Sequence, residues 1–378
     1  MLRAASATLL AGTILLGGMI PVAAADTGTT SADLSTTSIT TAPAATTPER
    51  AVAGQFPYGI ALALDPSGYR HLVAGSSLGH LWYATDRSGS WQAKRILTGE
   101  VGSLAWAKPS ITTDERGRVH IAVVATAAWD TPSSTGGIWY LTDRGRARGD
   151  FGPRTRIAGA MMTNPSLRVV RGVRYLAYDR CLCGPGDTTA PLFFKTDRLG
   201  RWTKEQIAAH GLWPSVRVGS EGRARIAYTA RSGVRYTTAR TRLGDFSAPV
   251  RIPGSGNDPT QPSLALDGLD RPHVAWASQG ADDRVKYSRR TADGWSTPRA
   301  LGPGLDVELS LDASNRPHVV IAGLDWVRHR WLARGTWQRR EVARAIDPTD
   351  VDIRAFGRRA WIAWAQYDTP RGAWVVRD

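Results

Sequence analysis

One pattern recurs seven times along this chain, and a repeat of that kind constrains the fold more than any single residue does. Its clearest copy reads PSLALDGLDRPHVAWAS from Pro262, then a short polar loop, then RVKYSRR from Arg284, then ADGWSTPRALG ending at Gly302. Each piece has strand length and is bounded by turn residues, so one repeat is four short antiparallel strands, here a to d. The start of strand b sets the register, with His71, His120, Tyr175, Arg225, His273, His318 and Trp361 at one equivalent position. Their spacing, from the low forties to the mid fifties, predicts propeller blades rather than a helical solenoid. The expected fold class is all-β: a seven-bladed β-propeller of four-stranded antiparallel blades.

Strand c returns as HLWYATD, GIWYLTD, PLFFKTD, VRYTTAR, VKYSRR and VRHRWL, and strand d usually opens with an aromatic: Trp91, Trp202, Phe246, Trp295 or Trp337. The seventh copy, DIRAFGRRAWIAWAQ followed by GAWVVRD, stops at Asp378 without a strand d. The segment PERAVAG from Pro48 resembles the ends of other d strands, PRALG and RTRIAG, and supplies the missing one. Closing the ring with an N-terminal strand removes an exposed sheet edge. Most Trp residues occupy these repeated positions, where packing between blades is the expected role. The four aligned histidines are expected to hydrogen-bond at strand ends, because equivalent positions on different blades diverge around the ring and cannot converge on one metal ion.

Ahead of the repeats, Met1, Leu2 and Arg3 lead into an apolar run from Ala4 to about Val22, and then Ala23, Ala24 and Ala25 precede Asp26. This is the plan of a cleaved signal peptide over residues 1–25, the alternative being an uncleaved anchor. Gly12, Gly17, Gly18 and Pro21 and the short run argue against an anchor, and no later stretch is apolar enough to span a bilayer. Residues 26–47 are almost entirely Thr, Ser, Ala, Asp and Pro, the composition of a disordered spacer. The propeller then occupies 48–378, and the protein is expected to be secreted, extracellular or associated with the cell envelope, and monomeric.

A formal charge of +15 would attract polyanions. Yet Lys is confined to Lys94, Lys108, Lys195, Lys204 and Lys286 while Arg is spread through every repeat, as a genome-wide Arg bias would also produce. Nucleic acid is therefore disfavoured as a partner, and a glycan or an envelope or extracellular protein is expected instead.

The c to d turns read TDRSGSW from Thr85, TDRLGRW from Thr196 and TADGW from Thr291. These resemble the Asp box, Ser-x-Asp-x-Gly-x-Thr-Trp, of the sialidase or bacterial-neuraminidase-repeat propellers, in which Asp and Trp stabilise the hairpin away from the active site. Here Gly falls one place late after Asp86 and Asp197, and Ala84 and Lys195 replace the Ser. The resemblance covers all the repeats and implies fold more than activity. It also implies three arginines around a substrate carboxylate, beside a nucleophilic Tyr, its activating Glu, and an Asp as general acid. In PSLRVV, PSVRVG and VDIRAF, Arg168, Arg217 and Arg354 share one strand a position and are the catalytic candidates for a sialidase-like enzyme. The Arg-Ile-Pro motif expected in the first blade is missing, and RIPG at Arg251 follows a mid-chain d strand.

Loops on a rigid scaffold carry function. The b to c loops of blades two and three are long and would bring Trp129, Asp130, Asp179 and Arg180 to one side. The d to a loops would add Trp106, Met162, Asn164, Trp213, Asn257, Asp258, Asp306, Glu308, Asp350 and Asp352. An aromatic ring beside carboxylates and amides suits sugar binding, although ordinary solvated loops have the same composition. Trp106, Trp129, Asp130, Asn164, Trp213, Asp258, Asp306 and Glu308 are the ligand-binding candidates. Cys181 and Cys183 are expected to pair as a disulfide that stiffens its loop, with a redox pair or half a metal site as alternatives. No metal site or cofactor is expected: the acidic residues could hold Ca²⁺, but their spacing fits no loop motif. No nucleotide-binding Gly loop, serine-nucleophile elbow or zinc-helix motif is present. The leading expectation is a non-catalytic propeller that binds a glycan or a protein partner. A sialidase-like glycoside hydrolase is the alternative.

Overall fold

The computed structural model describes residues 47–378 apart from 55–56, 77–78, 99–108, 126–135, 145–148, 160, 181–189, 257–258, 279–283, 345–347, 358 and 368–369. The signal-peptide and spacer readings, Trp106, Trp129, Asp130, Asp258, Cys181 and Cys183 therefore lie outside the described residues.

The described chain forms seven antiparallel sheets, one per repeat. In blades 1 to 6 sequence order is sheet order, so consecutive hairpins build each of them without a crossover. Strand d of blade 5 is broken, with Gly294–Trp295 and Arg299–Pro303 both pairing with strand c. The inner strands are Pro57–Leu64, Ser110–Thr113, Met162–Val170, Leu212–Val218, Ser263–Leu266, Asp306–Leu311 and Pro348–Phe356. Blade 7 is completed by Glu49–Ala53, which pairs antiparallel with Gly372–Arg377, Glu49 facing Val375 and Ala53 facing Gly372. Propeller, blade count and ring closure all agree with the sequence reading.

The core lies between blades. Alternation along a strand sends successive side chains to opposite faces, so each apolar cluster is built from two neighbouring sheets. Leu72 and Ala84 of blade 1 pack with Ala363, Ala365 and Val375 of blade 7, and with Val52 of the closing strand. The d-strand aromatics Trp91, Trp202, Phe246, Trp295 and Trp337 lean against such clusters, as their repetition suggested.

The aligned histidines are buried links within their own blades. His71, His120 and His273 bring Nδ1 to within 2.8, 2.6 and 2.6 Å of the hydroxyls of Tyr83, Tyr140 and Tyr287. On the other side of each ring, Nε2 stands 3.6, 3.4 and 3.6 Å from Asp65, Asp114 and Asp267 in the a to b turn. Blade 6 replaces the tyrosine: His318 Nδ1 meets His329 Nε2 at 3.1 Å, and His329 Nδ1 meets Asp378 at 2.6 Å. The turn aspartates are held by backbone N–H groups two and four residues on, as Arg116 and Arg118 donate to Asp114. Among the described residues no three His, Cys, Asp or Glu side chains are grouped to hold a metal ion.

The Asp-box-like turns have a similar structural use. Asp86 accepts the Arg70 backbone N–H at 2.7 Å and pairs with its guanidinium, which stacks between Trp91 and Trp361 of blade 7. Asp197 holds Arg174 the same way, with Trp202 and Tyr140 of blade 2 on either side.

Candidate functional site

The inner strands have no further strand to pair with on the axis side, so their free backbone N–H groups need another acceptor. Short side chains of the preceding blade supply it. Ser110, Ser166, Ser215 and Ser263 Oγ accept from Leu167, Val216, Leu264 and Leu309 N at 2.9–3.0 Å. Asp306 Oδ2 accepts from Val351 N at 3.2 Å, and Ser310 Oγ accepts from Ala355 N at 2.9 Å. Asp350 and Asp352 then accept from Ile60 and Leu62 N of blade 1, both at 2.7 Å. Between blades 1 and 2 the contact reverses: Ala61 takes the serine's place, and Thr113 Oγ1 donates to Leu64 O at 2.7 Å.

Two residues beyond the serines stand Arg168 and Arg217, with Arg354 at the matching place in blade 7. Cross-strand register puts these three opposite Tyr175, Arg225 and Trp361, which bears out the equivalence read from the sequence. Each donates Nη1 to the carbonyl of its own preceding residue, Leu167, Val216 and Ile353, at 2.7, 2.8 and 2.7 Å. One local geometry therefore folds all three guanidinium groups back toward the axis, where they line one cavity of about 80 Å³. Asn164, Trp213, Gln261, Glu308 and Asp352 line the same space. On the far side the three arginines also border a wider mouth of about 670 Å³, edged by the a to b turns. They thus form a cationic partition across the axis.

Burial, then repulsion from Arg217 and Arg354, pull the Arg168 pKa well below the usual arginine value, while Asp352 and Glu308 oppose the shift. Arg217 is lowered to about 10, by burial first and then by Arg354. Arg354 is paired with Asp352. Glu308 accepts the Ser263 hydroxyl at 2.7 Å. Three cations against these two carboxylates leave the partition one positive charge in excess.

Above the partition sits a second device. Asn164 and Trp213 hold matching positions in blades 3 and 4, and both adopt left-handed backbone, φ 49° and 51°. For a bulky residue this conformation costs on the order of 1–3 kcal/mol and persists only where surroundings impose it. Asp179, fully buried, imposes it here: it accepts from Thr163 Oγ1 at 2.5 Å, from Asn164 Nδ2 at 2.9 Å and from Trp213 N at 2.7 Å. The pairing register slips at both places, between Thr163 and Ser166 and between Leu212 and Ser215. Burial pushes the Asp179 carboxyl up to about 6, against the pull of its donors.

The expected d to a loop candidates need one correction. Met162, Asn164, Trp213, Asp306, Glu308, Asp350 and Asp352 lie within the inner strands, which begin earlier in the chain than the repeat's Pro-Ser start suggests. Asn164, Trp213 and Glu308 share the cavity with the three arginines, so two sets read separately from the sequence form one site. Asp306 instead secures blade 7 to blade 6. The serine ladder escaped the sequence reading, although PSI, PSL, PSV and PSL at residues 109, 165, 214 and 262 carried its signal.

No family model matches this sequence, and no curated protein matches it. Among solved structures, the polysaccharide lyase PL25 ulvan lyase superposes with TM-score 0.61 at 12% identity, over 86% of this chain and 93% of that one. The Penicillium chrysogenum α-L-arabinanase, complexed with arabinobiose, gives 0.54 at 10% identity over 89% and 98%. The SapL1 lectin, in complex with α-methyl fucoside, gives 0.50 at 14% identity over 78% and 97%. These likenesses establish the fold. The propeller therefore has structural neighbours among glycan-active proteins, both enzymes and lectins.

Proposed function

We propose that this protein is a secreted, non-catalytic glycan-binding propeller that recognises an acidic sugar. The observation that carries this reading is the convergence of Arg168, Arg217 and Arg354 on one cavity whose rim bears Trp213 and Asn164. A cavity of about 80 Å³ admits a carboxylate or a sulfate ester rather than a length of polymer. The sugar ring that carries the group would lie at the opposite end of the cavity from the wide mouth, against the Trp213 indole, with the Asn164 amide near its hydroxyls. An incoming anion would relieve the repulsion between Arg168 and Arg217. The solved neighbours that bind or cleave glycans support the same ligand class. Export rests on the pattern of residues 1–25 and is tested by sequencing the secreted protein's N-terminus, expected at Asp26.

A sialidase-like glycoside hydrolase is the second reading, favoured by Glu308 and Asp352 lining the cavity beside the arginines. Against it, no tyrosine is among the described residues that line the cavity, and Asp352 is held by Arg354 and Leu62 N.

The test is a glycan array spanning neutral, uronate, sulfated and sialylated glycans, run beside a fluorogenic sialoside assay. Saturable binding restricted to acidic glycans, weakened at least tenfold by Arg168→Gln and without cleavage, is the expected result. Cleavage abolished by Arg168→Gln would transfer the case to the hydrolase, and binding confined to neutral sugars would overturn the acidic specificity.

A further inference from the structure

Between blades 5 and 6 the propeller holds positive charge that no carboxylate among the described residues neutralises. The facing surfaces follow from register. In blade 5, Val285 and Tyr287 share the cluster packed against blade 6, and Arg299 lies opposite Tyr287. In blade 6, Val319 and Ile321 face blade 5, and their partners Arg330 and Arg328 share that face. Arg339 lies directly across from Arg330 on the outer strand, a like-charge pair that destabilises a sheet. The Arg330 guanidinium reaches across to blade 5, where a Cβ added at Gly302 would stand 3.1 Å from it.

The groove left open is about 430 Å³, edged by Arg289, Arg299, Ser296, Thr297, Tyr287 and Trp337. Its aromatic wall is the edge-to-face contact of Tyr287 and Trp337, 5.1 Å between ring centres. Among the described residues, Arg289, Arg299, Arg330 and Arg339 have no carboxylate within ion-pair distance. The nearby carboxylate, Glu341, is taken up by Arg328 at 3.5 Å and Arg344 at 2.7 Å. Burial, Arg339 and Arg328 all lower the Arg330 pKa. The grooves between blades 7 and 1 and between blades 2 and 3 differ: there Arg70 and Arg174 are paired with Asp86 and Asp197 and covered by aromatic rings. Blade 6 has no acidic residue in its c to d turn, which reads ARGTW.

The structure assigns this groove to an acidic polysaccharide strand, whose carboxylates or sulfates the forks of Arg289 and Arg299 would bind at its edge, with Arg330 and Arg339 beside it on the facing strands of blade 6. Trp337, the partly exposed member of the aromatic wall, would take the faces of its sugar rings, Tyr287 being buried. This site lies at the outer rim and is separate from the axial cavity, so it stands or falls independently of the reading given above. Charge complementarity identifies the occupant: a run of uncompensated guanidinium groups in a narrow groove focuses the field on a linear polyanion.

The test measures binding of the full chain to polygalacturonate and to heparin over a range of salt, beside single-stranded DNA. The triple variant Arg299→Glu, Arg330→Glu, Arg339→Glu is expected to weaken polysaccharide binding at least tenfold and to lower the slope of log affinity against log salt by about two or three. The matched charge reversals Arg95→Glu, Arg201→Glu and Arg359→Glu, on blades 1, 3 and 7, are expected to change affinity less than threefold. Arg330→Gln with Arg339→Gln guards against misfolding, since it relieves a repulsive pair and should keep or raise Tm while still weakening binding. Equal loss in both sets would mean diffuse charge and overturn the site, as would no loss in either. Binding of DNA but of neither polysaccharide would overturn the occupant. If Arg168→Gln left this binding intact, the two sites would be confirmed as separate.

Discussion

Asp179 sets the conformation of two candidate ligand contacts and receives no help from an opposite charge. Its carboxyl titrates near 6 in the fold and near 3.8 when unfolded, so it binds a proton more readily in the native state. Its contribution to stability is therefore present at low pH and is lost as pH rises through about 6, by roughly 1–1.5 kcal/mol between pH 5 and 8. Asp179→Asn should cancel that slope, and denaturant titrations of both proteins at the two pH values would show it. A stability difference that stayed constant with pH would mean that Asp179 is not buried as described. Thr163, Asn164 and Trp213 converge on this residue from two blades, a convergence that only the folded ring creates. The sequence drew attention to Asn164, Trp213 and Asp179 as unrepeated polar or aromatic residues, but the bond among them depends on a register slip that no local pattern marks.

The serine ladder and the histidine links act at the scale of the strand, and both yield measurable asymmetries. Ser215→Ala strands the Leu264 N–H and is expected to cost about 1–3 kcal/mol. Ser263→Ala should cost more, because that hydroxyl both accepts from Leu309 N and donates to Glu308. Urea melts of the two variants would rank them, and equal losses would remove the Glu308 contact from the account. For the histidines, burial drives His273 and His318 down to about 4. A depressed histidine pKa means that the unfolded chain takes up the proton first, so stability is whole above about pH 6.5 and falls as pH drops toward 4. Each residue should lose roughly 2 kcal/mol between pH 7 and 5. Together they outweigh the opposite trend of Asp179, so Tm should fall on acidification across this range, and His273→Gln should flatten the fall. The histidine positions and the strand pattern were legible because they repeat. Their partners were harder to see: Tyr83, Tyr140 and Tyr287 lie 12 to 20 residues downstream at varying distance, because the b to c loops differ in length.

As a whole molecule, the ring is closed without a covalent link, by strand pairing of Glu49–Ala53 with Gly372–Arg377 and by the apolar packing of that seam. Val52 is 3% exposed in that seam, packed with Ala363, Ala373 and Val375. Val52→Asp would bury an unpaired charge there and should lower Tm by roughly 5–10 °C. The same change at Val250, exposed on strand d of blade 4, should move it little. Differential scanning calorimetry decides, and a mild effect at Val52 would mean that the ring holds without its clasp. Architecture was the most legible level of this protein, because seven copies of one pattern reinforce each other. The axial site was half legible, since Arg168, Arg217 and Arg354 align in the repeat, yet a shared strand position does not say whether side chains on separate blades meet. The clasp also has a consequence in time. Glu49 and its partner Val375 are separated by some 320 residues of translation, about 15–65 s at ribosomal rates. Glu49–Ala53 therefore leaves the ribosome ahead of the seven repeats and stays unpaired while six blades assemble behind it, until Gly372–Arg377 emerges and lets it fold.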